Sequence, residues 1–591
     1  MRFGRTSKAV GIAAIAAFVL SACAGNTGGT TPTTGTAKQG GTATVVETNA
    51  FYSFNPNTAD GNNDINSKVS YATHSGFYYI DNKLNVVHND KFGKYEKVSD
   101  NPLTVKYTIN EGVKWSDGAP VSAADLLLQW AAFSGYYDDA NAEAKTGTSY
   151  FSYAGDPAGL ALTDFPEIGD NNRSMTLKYS KPYADWEIAL AGPSIDVPAH
   201  VLAQKAGLKD TQAFIDHLKG MPRGDAKAPK AADAALKTMA EMWNTGFDTK
   251  TLPSDSNLFL SNGPYIVKSV SQDQSLTMVR NKDYNWGPTA SLDEITVRYI
   301  GSAPAQVQAL KNGEADIIAP QPSADTLDQL KALSSQGVTV EQGNQLAYDH
   351  LDLNYSGPLA EKNVREAFMK TVPRKDIVDK IVKKLDPNAK PLDSQLFVPQ
   401  QAAYANSASN NGSSAFGDVD IDGAKKLLNG ATPEIKIMYN KDNPNRVDAF
   451  SLIRESAAKA GFKIVDGGLG ASDWGKALGD GTYDATIFGW INPGVGVAGV
   501  PQIFRTNNGS NFNKFSDPEA DKLMDELIGT TDRGKQDELI TQIDKKIWDS
   551  AYGLPLFQSI GVDAYSDRIT GVKFMPNQTG VWWNFWEWAE K

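Results

Sequence analysis

Leu103, Val105, Tyr107 and Ile109 are apolar with polar residues between them, the two-residue period that predicts a strand over 101–109 with one buried face. A turn over Trp115-Ser116-Asp117-Gly118-Ala119-Pro120 follows. Ser122 with Asp125 three residues on then forms a capping box opening a helix whose apolar face includes Leu126, Leu127 and Trp130. Thr42–Val46 predicts an earlier strand, and 201–260 reads as mostly helical, Ala- and Lys-rich sequence. Ser261-Asn262-Gly263-Pro264-Tyr265 turns into a strand over 266–270. From about residue 304 the pattern changes. Helices over 304–311 and 447–460, one starting at Ser516-Asp517-Pro518 and one carrying Ile540, Ile543 and Ile547 alternate with apolar strands over 317–319, 462–465 and 553–557. That alternation predicts an α/β domain with a substantially parallel sheet.

The amino terminus follows neither pattern. Arg2, Arg5 and Lys8 precede an uncharged run from Ala9 to Leu20, the order of an export signal and too short to span a bilayer. Leu20-Ser21-Ala22-Cys23 resembles a bacterial lipobox, cleaved before the cysteine. Cys23 is the sole cysteine, so it has no disulfide partner, whereas lipidation needs none. Residues 1–22 are therefore expected to be a signal peptide and 23–40, rich in Gly and Thr, a lipidated flexible tether. The expected location is outside the cytoplasm, held to the bacterial cell membrane through Cys23 alone. The formal charge is −12 and becomes −15 without the three cations of residues 1–22, which disfavours nucleic acid and anionic lipid as partners.

Six short motifs occur in order along nearly the whole mature chain: Gly112-Val113-Lys114-Trp115-Ser116-Asp117-Gly118, Asn262-Gly263-Pro264-Tyr265, Gly313-Glu314-Ala315-Asp316, Val364-Arg365-Glu366-Ala367-Phe368, Tyr483-Asp484-Ala485 through Gly489-Trp490, and Leu554-Pro555-Leu556-Phe557. Together they resemble the family 5 extracellular solute-binding proteins, the peptide- and nickel-type receptors of ABC importers. The resemblance implies an α/β, two-lobed periplasmic-binding-protein-like fold of type II, with an enlarged first lobe and a ligand cleft between the lobes. Crossings are expected near 300–303 and 553–556. Lobe 1 is then 41–300 plus 555–591, and lobe 2 is 301–554.

By the same resemblance an extended oligopeptide would lie along the lobe 2 strand Ile487-Phe488-Gly489-Trp490-Ile491-Asn492, bonded through its own main chain. Trp474 and Trp490 would wall its side-chain pockets, and Ala50, Phe51 and Tyr52 would face it from lobe 1. The binding residues expected are thus Ala50, Phe51, Tyr52, Trp474, Phe488, Gly489, Trp490, Ile491 and Asn492. The partners implied are the permease subunits of an ABC transporter, and the protein is expected to act as a monomer. One departure matters. Peptide binders of this family place an aspartate shortly after Gly-Trp for the ligand's ammonium, and residues 491–500 contain no acid. Asp473 or Asp484 would have to replace it, or the ligand's end is held otherwise.

Several other chemistries are weakly represented. Gly494-Val495-Gly496-Val497-Ala498-Gly499 fits a dinucleotide fingerprint in form, but Asn507-Asn508-Gly509 cuts short any helix that would receive a pyrophosphate; a mobile loop at the cleft mouth is expected instead. The five histidines are scattered, so neither a metal site nor a cofactor is expected, and no nucleophile elbow is present. The tryptophans of 581–588 would suit either a sugar platform or a last strand packed on lobe 1. An oligosaccharide binder is accordingly the alternative within the binding class, and a secreted glycosidase, whose two carboxylates need only meet in space, the alternative outside it.

Overall fold

The computed structural model describes residues 39–591, apart from Ala142, Glu143, Ala191 and residues 492–494. Cys23 and Asn492 thus lie outside the described residues. A ten-stranded mixed sheet runs through the molecule. Its strands, numbered in chain order, are β1 (Thr42–Glu47), β2 (Tyr265–Ser271), β3 (Ser275–Arg280), β4 (Glu294–Tyr299), β5 (Ile317–Ile318), β6 (Val338–Leu353), β7 (Glu434–Asn440), β8 (Lys463–Leu469), β9 (Ala485–Ile491) and β10 (Gly553–Ser566). The spatial order is β8-β7-β9-β6-β10-β5-β1-β4-β3-β2. The predicted parallel character holds for β7 with β8 and β9, but β6 pairs antiparallel with both β9 and β10.

Helix boundaries follow local chemistry. Ser122 caps Ala123–Ser134, with Asp125 answering back to the Ser122 backbone as the sequence predicts, and Gly135 ends the helix in the left-handed region. Asp517 caps Pro518–Gly529, with the proline in the first turn where its missing N–H costs nothing. A separate four-stranded sheet built from Gly93–Asp100, Leu103–Ile109, Ser174–Lys178 and Glu167–Gly169 enlarges the first half of the molecule. The burial of its central strand alternates as the apolar pattern predicts.

Two large apolar cores lie along the sheet. One gathers residues from Ala43 to Val297 and closes with Ile569, Val572, Trp582, Phe585 and Trp588. The other runs from Val307 to Ala564 and takes in Val46, while Ile317 joins the first, so β1 and β5 contribute to both. No change of core marks the expected return crossing at 553–556. Leu554, Leu556, Ile560, Val562 and Ala564 all belong to the second core, and Ile569 is the next fully buried residue of the first. β10 is a central strand of 14 residues that runs on past Phe557, with Gln558, Ser559 and Asp563 interrupting its apolar residues.

The carboxyl terminus packs on the first core, as the reading of a last strand and tail expects, but is mostly not strand. Gly580–Glu587 forms 3-10 turns, and only Ala589–Glu590 is a strand, paired with Ile569–Thr570. Trp582 and Trp588 are fully buried in the first core, and Trp582 donates to Glu47 Oε1 at 2.7 Å. Indoles spent on packing present no stacking face to a sugar.

Candidate binding cleft

Two adjoining cavities of about 500 and 450 Å3 lie where elements of the two cores face each other. They share Asp64, Lys68 and Gln578. The first is walled mainly by the first half of the chain, including Tyr71, Phe133, Tyr153 and Ile188, with Gln502 opposite. The second draws Thr48 and Lys68 from one side and Asp349, Arg446, Gly489 and Asp563 from the other. Its floor is the antiparallel pair β6 and β10.

Polar groups on this floor are mostly matched. Arg446 grips Asp349 through two hydrogen bonds, Nε to Oδ2 at 3.1 Å and Nη2 to Oδ1 at 3.0 Å. Burial opposes the Arg446 charge, but Asp349 outweighs it and holds the pKa above its ordinary value. The pair explains the glycine of the Gly-Trp motif. A Cβ at Gly489 would come within 2.9 Å of Asp349 Oδ1 and 3.2 Å of Arg446 Nη2.

The expected binding residues separate into three places. Gly489 alone of them lines the second cavity. Phe488 and Trp490, one position either side, face the opposite side of the sheet because strand side chains alternate. There they meet Trp474: the Trp474–Phe488 and Phe488–Trp490 centroids are 5.7 and 5.1 Å apart, and Trp490 stacks between His350 and Phe512 at 6.0 and 6.1 Å. The indole N–H groups of Trp474 and Trp490 have no acceptor among the described residues. Ile491 ends β9 opposite Ala347.

The lobe 1 residues Ala50, Phe51 and Tyr52 line neither cavity. Phe51 is a core side chain, edge-on to Phe54 at 4.8 Å, and Tyr52 donates to the Asp60 carbonyl at 2.7 Å. Ala50 is half-buried between them and β1, and Thr48 reaches the cavity instead. Neither candidate acid is placed to replace the missing aspartate. Asp484 accepts the Lys436 N–H at 2.8 Å and Asp473 is exposed on the Ala471–Asp480 helix. Sequence reasoning missed Lys68, Asp349, Arg446 and Asp563. Only Asp563 carried a signal, a lone acid inside the apolar run Ile560-Gly561-Val562-Asp563-Ala564.

The loop expected to be mobile is tied across the cleft. The Asp185 carboxylate accepts the Val497 and Ala498 N–H groups at 2.8 Å each, and Ala184 N–H donates to the Ile528 carbonyl at 2.6 Å. Gly496 turns with φ +81° where a Cβ would sit 2.7 Å from Ile188 Cδ1. Burial pushes the Asp185 carboxyl up, and the two N–H groups pull back against it. The helix that follows, Gly499–Phe504, is a turn and a half long.

The family model described as "Bacterial extracellular solute-binding proteins, family 5 Middle" matches residues 91–512. The chain belongs to that family. This solute-binding protein is 25% identical over 573 residues to the uncharacterized lipoprotein Rv2585c of Mycobacterium tuberculosis, covering 94% of this chain and 95% of the relative. It is also 25% identical to the oligopeptide-binding protein OppA of Mycobacterium bovis, over 90% and 82% of the two chains. Among solved structures, the periplasmic EDTA-binding protein EppA superposes with a TM-score of 0.79 at 22% identity, covering 96% and 99% of the two chains. The oligopeptide-binding protein AppA of Bacillus subtilis, solved with a nonapeptide, gives 0.72 at 18%, covering 94% and 100%. The two-lobed α/β fold is thereby established. The family is one of substrate-binding, non-enzymatic transporter components, so the glycosidase alternative falls. Among the described residues no helix is long and apolar enough to cross a membrane.

The packing of Trp490 generates a test. Trp490→Ala removes one layer of the His350–Trp490–Phe512 stack and should lower the stability of the ligand-free protein by about 2–3 kcal/mol in urea unfolding. An unchanged midpoint would mean that this side chain packs on nothing in solution.

Proposed function

We propose that this protein captures an oligopeptide in the paired cavities between its lobes and delivers it to the permease of an ABC importer, as a monomer tethered to the membrane by lipidated Cys23. The observation that carries the binding reading is that the second cavity is walled from both cores and floored by the strands that join them. A ligand there would be held by two bodies at once, and closing them would shut water out of its hydrogen bonds. The lobes on this reading are 41–300 with the carboxyl-terminal segment, and 301 onward, with the return crossing moved to 564–569 by the packing of β10.

Peptide is favoured as ligand by two lines of support. The relatives include a protein named for oligopeptide binding, and the fold neighbours one solved with a nonapeptide. The cleft also offers paired charges and backbone beside apolar wall such as Ile381, Leu385 and Phe557, which suits a main chain with variable side chains. The oligosaccharide alternative loses its main support, since Trp582 and Trp588 are core residues. Relatives named as lipoproteins support the tether.

Two experiments test this reading. Mass spectrometry of small molecules released from protein purified under native conditions should find peptides, and titration with defined peptide pools should give saturable binding; release of oligosaccharides with no peptide binding would overturn the substrate class. Cys23→Ser should abolish lipid labelling and move the protein from the membrane to the soluble fraction. Retention on the membrane would remove the anchor from the account.

A further inference from the structure

Asp64 at the start of the Asp64–Thr73 helix and Asp563 on β10 line the second cavity, and two more carboxylates, Glu47 on β1 and Glu341 on β6, lie near enough to act on Asp563. A single cation, Lys68, stands among them. Its Nζ is 2.7 Å from Glu47 and 3.3 Å from Asp64. Burial opposes its charge, but Glu47 and Asp64 outweigh it and hold its pKa above the usual value. Three of the carboxylates have direct donors. Glu47 accepts Lys68 and the Trp582 indole, Asp64 accepts Lys68 and Asn49, and Glu341 accepts the Tyr565 hydroxyl at 3.1 Å and the Phe574 N–H at 2.6 Å. Arg446, the other cation of the cavity, is committed to Asp349.

Asp563 is the exception. It is 6% exposed and lines the second cavity, and its carboxylate makes no hydrogen bond or ion pair with any described residue. Its register partner on β6 is Glu341, so a like charge stands beside it on the same face of the sheet. A buried carboxylate without a partner is costly, and one beside a second carboxylate more so. A cation entering the cavity would relieve that cost.

We infer that Asp563 is the subsite for a protonated amine of the ligand, taking the part of the aspartate that residues 491–500 lack. The inference rests on the reading of this cavity as the ligand cleft and narrows it to ligands that bring a positive charge to the β10 floor. For a peptide that charge is the amino-terminal ammonium. Among the described residues no group of three or more His, Cys, Asp or Glu side chains is arranged to hold a metal ion, so an organic cation is the occupant that fits.

The environment adds a pH signature. Burial, then the Glu341 charge, push the Asp563 carboxyl up to about 7, with Glu47 adding to the shift and Lys68 opposing it. An ammonium pairs with the ionised form. Affinity should therefore rise as pH climbs through about 7, and binding near that pH should release a proton to the buffer.

Calorimetric titration of the full mature chain tests this with an equimolar pentapeptide pool, the same pool N-acetylated, and the small amines putrescine and cadaverine against the uncharged diols butanediol and pentanediol. The wild type should bind the free pool at least ~30-fold more tightly than the acetylated one, and Asp563→Asn should erase that difference while leaving the acetylated pool unaffected. Repeating the wild-type titration in buffers of different ionisation enthalpy should show the proton release, a readout that does not depend on the variant folding. If free and acetylated pools bind alike, or the variant keeps the preference, this inference falls and the peptide reading stands. If neither pool binds but the amines do, and only with Asp563 present, the peptide reading falls and the amine subsite stands. Binding of neither class overturns both.

Discussion

The pairing of β6 with β10 is the constraint on which the rest of the molecule depends. These long antiparallel strands share register from Val338 opposite Ser566 to Asp352 opposite Gly553, with two irregularities, and together they carry the sheet from one core to the other. On one side β6 receives β9 and the parallel strands beyond it; on the other, β10 receives β5 and through it β1. Both cores are thus hung on one hydrogen-bonded ladder. Relative motion of the lobes has to be absorbed by few backbone positions, and whatever lies on the ladder's open face is gripped or released by that motion.

That position also accounts for the electrostatics of the cleft. Where the ladder floors the cavity it offers little water to solvate charge, so the charges found there must be matched. Arg446 with Asp349, and Lys68 with Glu47 and Asp64, obey this rule, and the tryptophan of the carboxyl terminus supplies the remaining donor to Glu47. The unmatched group, Asp563, sits where ligand would enter rather than deep in a core. A cost retained at a binding cleft and relieved by ligand makes the closed, occupied state the lower one, which is the condition for ligand-driven closure.

Much of the fold was legible because local rules and burial agreed. The Ser122–Asp125 cap, the strand over Leu103–Ile109 and the proline start at 518 each rest on chemistry contained within a few residues. The cleft was less legible. Gly489 was found through a motif, yet its reason, the Asp349–Arg446 pair, joins residues 97 apart in the chain. Phe51 was misplaced because an aromatic near a cleft and an aromatic in a core look alike in sequence. The extent of β10 was underestimated because Gln558 and Ser559 break its apolar run after Phe557, as the end of a strand would. Lys68 could not be singled out, since its partners Glu47 and Asp64 acquire meaning only once β1 and the following helix are folded together.

The central claim is that ligand is held between the lobes and draws them together. The Val497 and Ala498 amides report on this directly, because their acceptor, Asp185, lies on the other side of the cleft. Amide hydrogen exchange of the mature protein with and without saturating ligand would follow them together with β10. The account predicts slower exchange over 495–504 and 559–566 when ligand is bound, with little change in the four-stranded sheet remote from the cleft. Saturable binding that leaves both segments unchanged, with protection appearing elsewhere, would contradict it.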